Sequence, residues 1–462
     1  MVTSLTQALG AFVAGLRPQA VPEEARAVAR TGFIDCIGVM LAGASEPAVG
    51  ILREVIGDGG GAEASLLLGA DRAAAANAAW INGTAAHVLD YDDVAQRGHP
   101  STVLVPAVLA EGEALGADGA QMLAAYVAGY EVWAELVRHD ADYHHEKGWH
   151  PTGVFGAIGA AAACASLHGL DADRATTAIA LGASQAGGVI ANFGSMAKPF
   201  HAGRAAHAGV VAARLARAGM TASADAVEHP RGFLRAISPR GRLDDLAPGA
   251  GFGRDWRIVT DRLSIKKYPI CYFAHRAADA MVDLVQAERP DPGAVARIEV
   301  HIGRPQAAVL RNDLPQTALE AKFSAQFAMA AGLASGWIGL RELTDSYVQR
   351  PDIQDLMRRV TVLPSDDLDP ALPGYARADS VGVVMRDGRR FDSAPVHRPR
   401  GHATAPLRED ELRAKFTDCL ASAGAEAEAA QLYEVLRHLE ALPSARALAA
   451  LRSQARVRPG PA

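Results

Sequence analysis

Between residue 1 and about residue 260 the chain repeats one pattern, apolar residues at helical spacing on segments dominated by alanine and glycine. Thr152–Leu167, Asp173–Gly188 and Arg204–Ala218 are the densest examples. Interaxial distance follows the side chains at the contact, so helices this small-sided can approach closely. The pattern predicts a large all-α domain that needs no sheet. Val28, Phe33, Ile34, Ile37 and Leu41 form one apolar face, with Pro22 suited to the first helical position and Gly43 ending the run. Ser45 can cap the following helix, ahead of Glu46 and Pro47. Asp118 can cap another, on which Leu123, Tyr126, Val127, Tyr130 and Leu136 recur. Gly57–Gly61 reads as a loop. No strand precedes it and the chain has no GxxxxGK[ST], so it is not a phosphate loop.

Near residue 255 the texture changes. Trp256–Ile265 and Ala296–Ile302 alternate in a strand-like way, the second with Ile298, Val300 and Ile302 on one face. Ala277–Ala287 and Lys322–Leu333 read as helices between and after them. Val360–Leu363 and Val381–Phe391 read as strands, the latter turning at Asp387–Gly388. From Leu407 helical spacing returns through Leu412, Phe416, Cys419 and Leu420, then Leu432, Val435, Leu436 and Leu439. The expected fold is therefore mostly α. Residues 1–264 plus 396–462 form the helical domain, and residues 265–395 form an inserted, smaller α+β lid domain. Only RVRPGPA at the end reads as a loose tail.

Composition narrows the function. Charged residues make up 21 % of the chain and the net charge is −6, without the basic patch that nucleic-acid binding requires. The N-terminal segment lacks a basic region ahead of its apolar residues, so it is a poor signal peptide. Ala175–Ala197, the longest charge-free stretch, is too polar to span a membrane. Cys36, Cys164, Cys271 and Cys419 form no CxxC and read as reduced, buried thiols. A cytoplasmic location is expected, with neither nucleic-acid nor membrane partners.

Four polar constellations interrupt the apolar pattern. His87, Asp90, Asp92, Asp93 and His99 place three carboxylates and two histidines within thirteen residues. Tyr143–Thr152 carries His144, His145, Glu146 and His150. Ser195–Gly203 carries Lys198 and His201. Lys266–His275 carries two lysines, two tyrosines and a histidine. His99, Lys198 and His150 each stand directly before a proline at an expected helix entrance. Proline disfavours the helical region for its predecessor, and helix N-termini attract anions. Three such entrances suit a carboxylate substrate. The fitting chemistry is proton abstraction next to a carboxylate, which needs a positioned base and cations to hold the developing charge. Elimination and epimerisation share that demand, decarboxylation needs the same charge stabilisation, and none strictly requires a cofactor. His144–His145–Glu146 is not HExxH and reads as surface polarity, so no metal is expected. Ser195–Lys198 matches SxxK, but SDN and KTG are both missing from the chain, which argues against that hydrolase class.

Seven blocks in order carry a family resemblance: His87–Ser101, Gly148–Thr152, Lys198–Gly209, His229–Phe233, Lys266–His275, Glu320–Phe327 and Pro399–His402. With them the chain resembles the MmgE/PrpD family, which includes 2-methylcitrate dehydratase, cis-aconitate decarboxylase and iminodisuccinate epimerase. The resemblance implies a large all-α domain with a smaller α+β lid, a homodimer, and a cofactor-free site between the domains. It assigns Asp90, His99, His150, Lys198 and His275 to the site, with Lys266 and Tyr268 as substrate-binding positions. In this scheme His150 or Lys198 is the base, His99 or His275 the acid, and Asp90 orients an imidazole. Asp92 and Asp93 are expected to hold loop backbone. Val94 and Phe327 stand where decarboxylase-type members look to carry Thr and Tyr, which disfavours cis-aconitate decarboxylation. The leading expectation is a cofactor-independent lyase of a small di- or tricarboxylate, most like 2-methylcitrate dehydratase. The alternatives are a dicarboxylate epimerase or racemase, a decarboxylase, and a catalytically silent carboxylate-binding protein.

Overall fold

The computed structural model describes residues 4–57, 59–142, 144–244, 249, 251–370 and 374–455. Tyr143 and the expected loose tail lie outside the described residues. The chain divides into two compact units, Met1–Leu263 with Cys419–Ala462, and Ser264–Asp418. It is mostly helical, with two small sheets.

The first unit is built around the helix Pro151–Leu167, in which every residue from Pro151 to Ala165 is buried. A helix buried on all sides needs small neighbours, and its own sequence supplies eight of them as alanine or glycine between Gly153 and Ala163. Around it pack Ser101–Leu115, Gly119–His139, Ala172–Gln185 and Ala197–Arg217. The helix Ala75–Val88 lies against Ala197–Arg217 at backbone range: a Cβ on Gly203 would meet the Trp80 carbonyl oxygen at 2.1 Å. Asp118 caps Gly119–His139 through a reciprocal bond pair with Gln121. The helix Glu23–Ala42 begins after Pro22, and Pro47–Ile56 follows Glu46 with no side-chain cap, so Ser45 does not cap it. Among the described residues one segment, Glu23–Ser45, is long and apolar enough to cross a membrane, but 72 % of its most apolar window is buried inside the fold.

Two expectations for this unit change. It is not purely helical, because β1 (Ala64–Ser65) and β2 (Arg72–Ala73) pair as an antiparallel ribbon. Side chains from the helices hold it: Ser65 donates its N–H to Glu113 at 3.0 Å, and Leu67 donates to the Asn82 amide oxygen at 2.8 Å. Trp256–Ile265 is no strand. Its core is the short helix Arg257–Thr260, whose first N–H groups, on Arg257 and Ile258, donate to the Glu131 carboxylate. A cap from a residue this remote overrides the local alternation.

The second unit holds a four-stranded sheet in the order β4 (Val360–Ser365), β3 (Val295–Gly303), β5 (Ser380–Met385), β6 (Arg390–Asp392). β3 and β4 are parallel and the other pairs antiparallel. Ile298, Val300 and Ile302 are fully buried, in one core with Met281, Phe327 and Met329 of the helices His275–Glu288 and Ala325–Ser335. Within this core Arg276 forms a buried ion pair with Asp379 at 2.6 Å. The expected return to the helical domain at residue 396 comes later, at 419. The segment between stays in the second unit because specific bonds tie it there. Val396 and Asp379 exchange backbone bonds, Arg276 donates to the His397 carbonyl, Arg400 pairs with Asp279, and Ile265 donates to the Gly401 carbonyl at 2.7 Å.

Candidate active site

Three helix ends of the first unit meet at one polar cluster. The C-terminal turn of Ala75–Val88 supplies His87, the entrance of Pro151–Leu167 supplies His150, and the first turns of Ala197–Arg217 supply Lys198 and His201. Close approach fixes their spacing. A Cβ on Gly83 would meet the Gly203 Cα at 2.8 Å, and one on Gly153 would meet the Gly187 carbonyl oxygen at 2.1 Å. Any larger residue at these glycines would push the helix ends apart.

The loop from Leu89 to Pro100 carries the acids. Asp90 has φ +52°, a left-handed conformation that Asp tolerates better than most residues. Gln96 and Arg97, at +49° and +61°, form the two-residue turn closing the Ala95–Gly98 backbone pair. Neither is glycine, so the turn is strained and needs outside support. Trp133 donates its indole N–H to the Gln96 carbonyl, the Gln96 amide donates to Asp261, and Arg97 pairs with Asp140 at 2.8 Å. The loop returns the chain to His99 and the helix Ser101–Leu115.

Asp92 is fully buried and shared by two imidazoles. Its Oδ1 lies 3.0 Å from His87 Nδ1 and its Oδ2 lies 2.7 Å from His99 Nδ1. His99 Nδ1 also faces the Asp93 carbonyl at 2.8 Å. Every partner of these two Nδ1 atoms is an acceptor, so both must carry the proton, and in each neutral ring Nε2 keeps a lone pair. Burial works to raise the Asp92 carboxyl, and the two imidazoles overcome it, holding the acid well below the usual carboxylate range. Burial brings His87 down to about 4, against the pull of Asp92, so the ring is neutral at pH 7. Its Nε2 is buried and has no hydrogen-bond partner among the described residues. Asp93 does different work. Burial, then Asp92 and Asp35, push its pKa well up, and it binds the Ser101 backbone N–H and hydroxyl, with Tyr126 hydrogen-bonded to the same hydroxyl at 2.7 Å.

His150 is the residue before the helix, extended at φ −83° and ψ 111°, with Pro151 opening the first turn. Its N–H donates to the Gly188 carbonyl at 3.0 Å. Its ring lies 6.0 Å from that of His87, and its Nδ1 is 3.1 Å from His201 Nδ1. Burial first, then the charges of His87, His99, Lys198 and His201, hold it far below the ordinary histidine value. Like His87, it has a buried Nε2 with no partner among the described residues. Lys198 places its ammonium 2.6 Å from Asp90 Oδ1 and 5.4 Å from the Phe193 ring centre. The cluster thus combines a partly exposed cation, two neutral buried imidazoles with unbonded Nε2 atoms, and an anion held in place behind them. It is equipped to bind a carboxylate and move protons at an adjacent carbon.

His87, Asp90, Asp92 and His99 each offer a metal-ligating atom, all within 4.8 Å of one another. In this structure Asp92 is bonded to both Nδ1 atoms and Asp90 to Lys198.

Comparison with known proteins decides the family. Residues 7–245 match the MmgE/PrpD N-terminal domain, and residues 268–441 match the MmgE/PrpD C-terminal domain. The chain belongs to the MmgE/PrpD family. Among its relatives is the cis-aconitate decarboxylase of Homo sapiens, 29 % identical over 73 % of this chain and 71 % of the relative. The cis-aconitate decarboxylase-like protein oryM of Aspergillus oryzae is 27 % identical over 93 % of both chains. The cis-aconitate decarboxylase of Aspergillus terreus is 26 % identical over 81 % of this chain and 79 % of its own.

Of the site residues that the MmgE/PrpD resemblance implies, Asp90, His99, His150 and Lys198 lie together in this first-unit cluster. His275, Lys266 and Tyr268 belong to the second unit. There His275 is fully buried, with Nε2 3.1 Å from the Ile270 carbonyl and its ring edge-on to Tyr268. Lys266 is buried. Tyr268 is buried too, and its hydroxyl donates to Asp279 at 2.8 Å, so it is committed to the core of that unit. Asp92, expected to hold loop backbone, is bonded to the His87 and His99 imidazoles, and Asp90 is bonded to Lys198. His144 is also not at the surface: it is buried, with Nδ1 2.7 Å from Asp140. Lys198 stands inside the first helical turn, its N–H donating to the Ser195 carbonyl, rather than extended ahead of Pro199. His87 and His201 fall within the family blocks but carry no proline signal.

Proposed function

We propose that this MmgE/PrpD protein is a cofactor-independent lyase that acts at the carbon next to a carboxylate of a small di- or tricarboxylate, with decarboxylation of a cis-aconitate-type acid as the first reading. The observation that carries it is the pair of buried, unbonded Nε2 atoms on His87 and His150 beside the Lys198 ammonium. Lys198 holds a substrate carboxylate. When the C–C bond to the leaving carboxylate breaks, CO2 departs and its electron pair passes through the alkene to a second carbon. His150 Nε2 delivers the proton that this carbon takes up. Asp92 keeps the His87 and His99 lone pairs turned outward from its own carboxylate, where they receive hydroxyl or carboxyl protons of the substrate. The names of the relatives support decarboxylation.

Dehydration of a 2-methylcitrate-type hydroxy acid is the second reading, and Val94 favours it. That residue follows Asp93 in the site loop and offers no hydroxyl. Phe327 is a weaker discriminator, because it is fully buried in the second unit's core. A homodimer and a cytoplasmic location accompany the family reading as further proposals. Exposed Val189, Phe193, Met196 and Phe200 support the dimer, since four large apolar side chains crowd one short segment.

A panel of cis-aconitate, citrate and 2-methylcitrate separates the readings. Decarboxylation releases CO2 from cis-aconitate. Dehydration makes a new conjugated alkene, seen as rising ultraviolet absorbance, from a hydroxy acid. Neither signal from any of the three acids would contradict the lyase assignment.

A further inference from the structure

We propose that His201 is a positioning residue that fixes which nitrogen of His150 carries the proton, by donating its own Nδ1–H to His150 Nδ1. The two Nδ1 atoms are 3.1 Å apart, with ring centres 5.3 Å apart. Two imidazole nitrogens at hydrogen-bond distance share one proton: one ring donates and the other accepts. The tautomers of the two rings are therefore locked to each other. If His201 donates, His150 must carry its proton on Nε2, the atom that is buried and without a partner among the described residues. If His150 donates, the same Nε2 is a bare lone pair.

The geometry leaves the pair little room to exchange. His150 is held through its backbone by Gly188 and through its ring by the edge-on contact with Phe193, centroids 4.9 Å apart. Gly188, at φ +123°, passes so close to His201 that a Cβ there would meet the ring's Cγ at 3.0 Å. His201 itself is nearly buried and lines a pocket of about 380 Å³ together with Gly187, Phe200 and Arg204. Burial disfavours a charge on either ring, which suits one shared proton between two neutral partners.

The direction of the bond rests on the lyase reading. His87 already presents a lone pair on Nε2, because its Nδ1–H donates to the Asp92 carboxylate. A reaction that ends by protonating carbon needs one ring with its proton on Nε2, and His201 is placed to make His150 that ring. In the sequence His201 belongs to the Ser195–Gly203 constellation, three residues after Lys198 and on the same helix.

The tautomer can be read without turnover. In 15N-histidine-labelled protein, long-range 1H–15N correlation reports the protonated nitrogen of each ring, and His150→Gln assigns the His150 signals. The expected result is Nε2-protonated His150 in the parent, with that preference lost in His201→Ala. His201→Asn, whose amide can still donate, is expected to retain it. With cis-aconitate as substrate, His201→Ala is expected to lower kcat about 100-fold, the scale of one general acid–base contribution, with KM unchanged and most of the rate restored in His201→Asn. Nδ1-protonated His150 in the parent, or an unchanged tautomer in His201→Ala, would overturn the proposal. If His201→Ala fails to fold, the parent spectrum alone decides. If no acid is turned over, the lyase reading fails while the spectrum still tests the lock.

Discussion

The ammonium of Lys198 stands 2.6 Å from Oδ1 of Asp90, joining two segments 108 residues apart. Asp90 holds this position from a left-handed backbone conformation, and it keeps Lys198 beside the imidazoles rather than in solvent. Both side chains remain partly exposed, at 18 % and 33 %, so the pair contributes little to stability and is open to a ligand. Lys198→Ala is therefore expected to lower kcat/KM by about 100-fold or more while changing stability by roughly 1 kcal/mol or less. Steady-state kinetics beside a denaturant melt checks both numbers. A large stability loss with activity retained would place Lys198 in the scaffold instead.

Asp92 carries the opposite expectation. It is fully buried and bonded to two imidazoles, so no conservative replacement satisfies both. Asn offers one acceptor and one donor, and the donor would face an Nδ1–H. Asp92→Asn is expected to cost about 2–4 kcal/mol of stability, from a lost charged hydrogen bond and a buried group left unsatisfied. It should also abolish turnover, because one imidazole loses the acceptor that fixes its tautomer. Chemical denaturation gives the first quantity and the acid panel the second.

The ligating atoms of His87, Asp90, Asp92 and His99 lie within metal-binding range, but the Asp92 carboxylate is engaged by both imidazoles and the Asp90 carboxylate by Lys198. Dialysis against EDTA is expected to leave activity unchanged. Loss of activity that returns with one added divalent metal would contradict this account of the cluster.

Stability should depend on pH through Glu131. Burial raises its carboxyl to about 7, even though the Ile258 and Arg257 N–H groups donate to it. The unfolded chain releases this proton near 4.5, so between about pH 4.5 and pH 7 the folded state binds more protons. Stability from this group is then fully present below pH 4.5 and falls as pH rises through 7. The full span is on the order of 3 kcal/mol, an upper value. Glu131→Gln keeps an acceptor for the N–H groups and removes the titration. Melts across this range should show a flatter profile for the variant than for the parent. Equal slopes would show that Glu131 is ionised in both states.

Much of this was legible in the sequence, and the exceptions share a cause. The helical unit followed from alanine and glycine spacing, and His150 followed from the proline behind it, because both signals are local. Which loop acid faces the imidazoles was not local. Asp90 and Asp92 are two residues apart, and the +52° φ at Asp90 sets which carboxylate turns inward. Glu131 imposes a helix on Arg257–Thr260 from 126 residues away, against an alternating pattern that reads as strand. The second unit extends past residue 396 because Asp279, Arg276 and Asp379 hold that segment. His87 stands out in the sequence as part of the first polar constellation, but its bond to Asp92 does not. Backbone conformation and polar bonds that residue spacing does not encode decided these cases.

If the cluster acts as proposed, it breaks a bond beside a carboxylate and supplies a proton to carbon through His150. The direct test is the parent protein and His150→Ala with cis-aconitate in D2O, following CO2 release and product mass together. The expected result is CO2 release by the parent, one deuterium on carbon in each product molecule, and loss of both signals in His150→Ala with the fold intact. CO2 release at the parental rate by His150→Ala, with deuterium still incorporated, would contradict it.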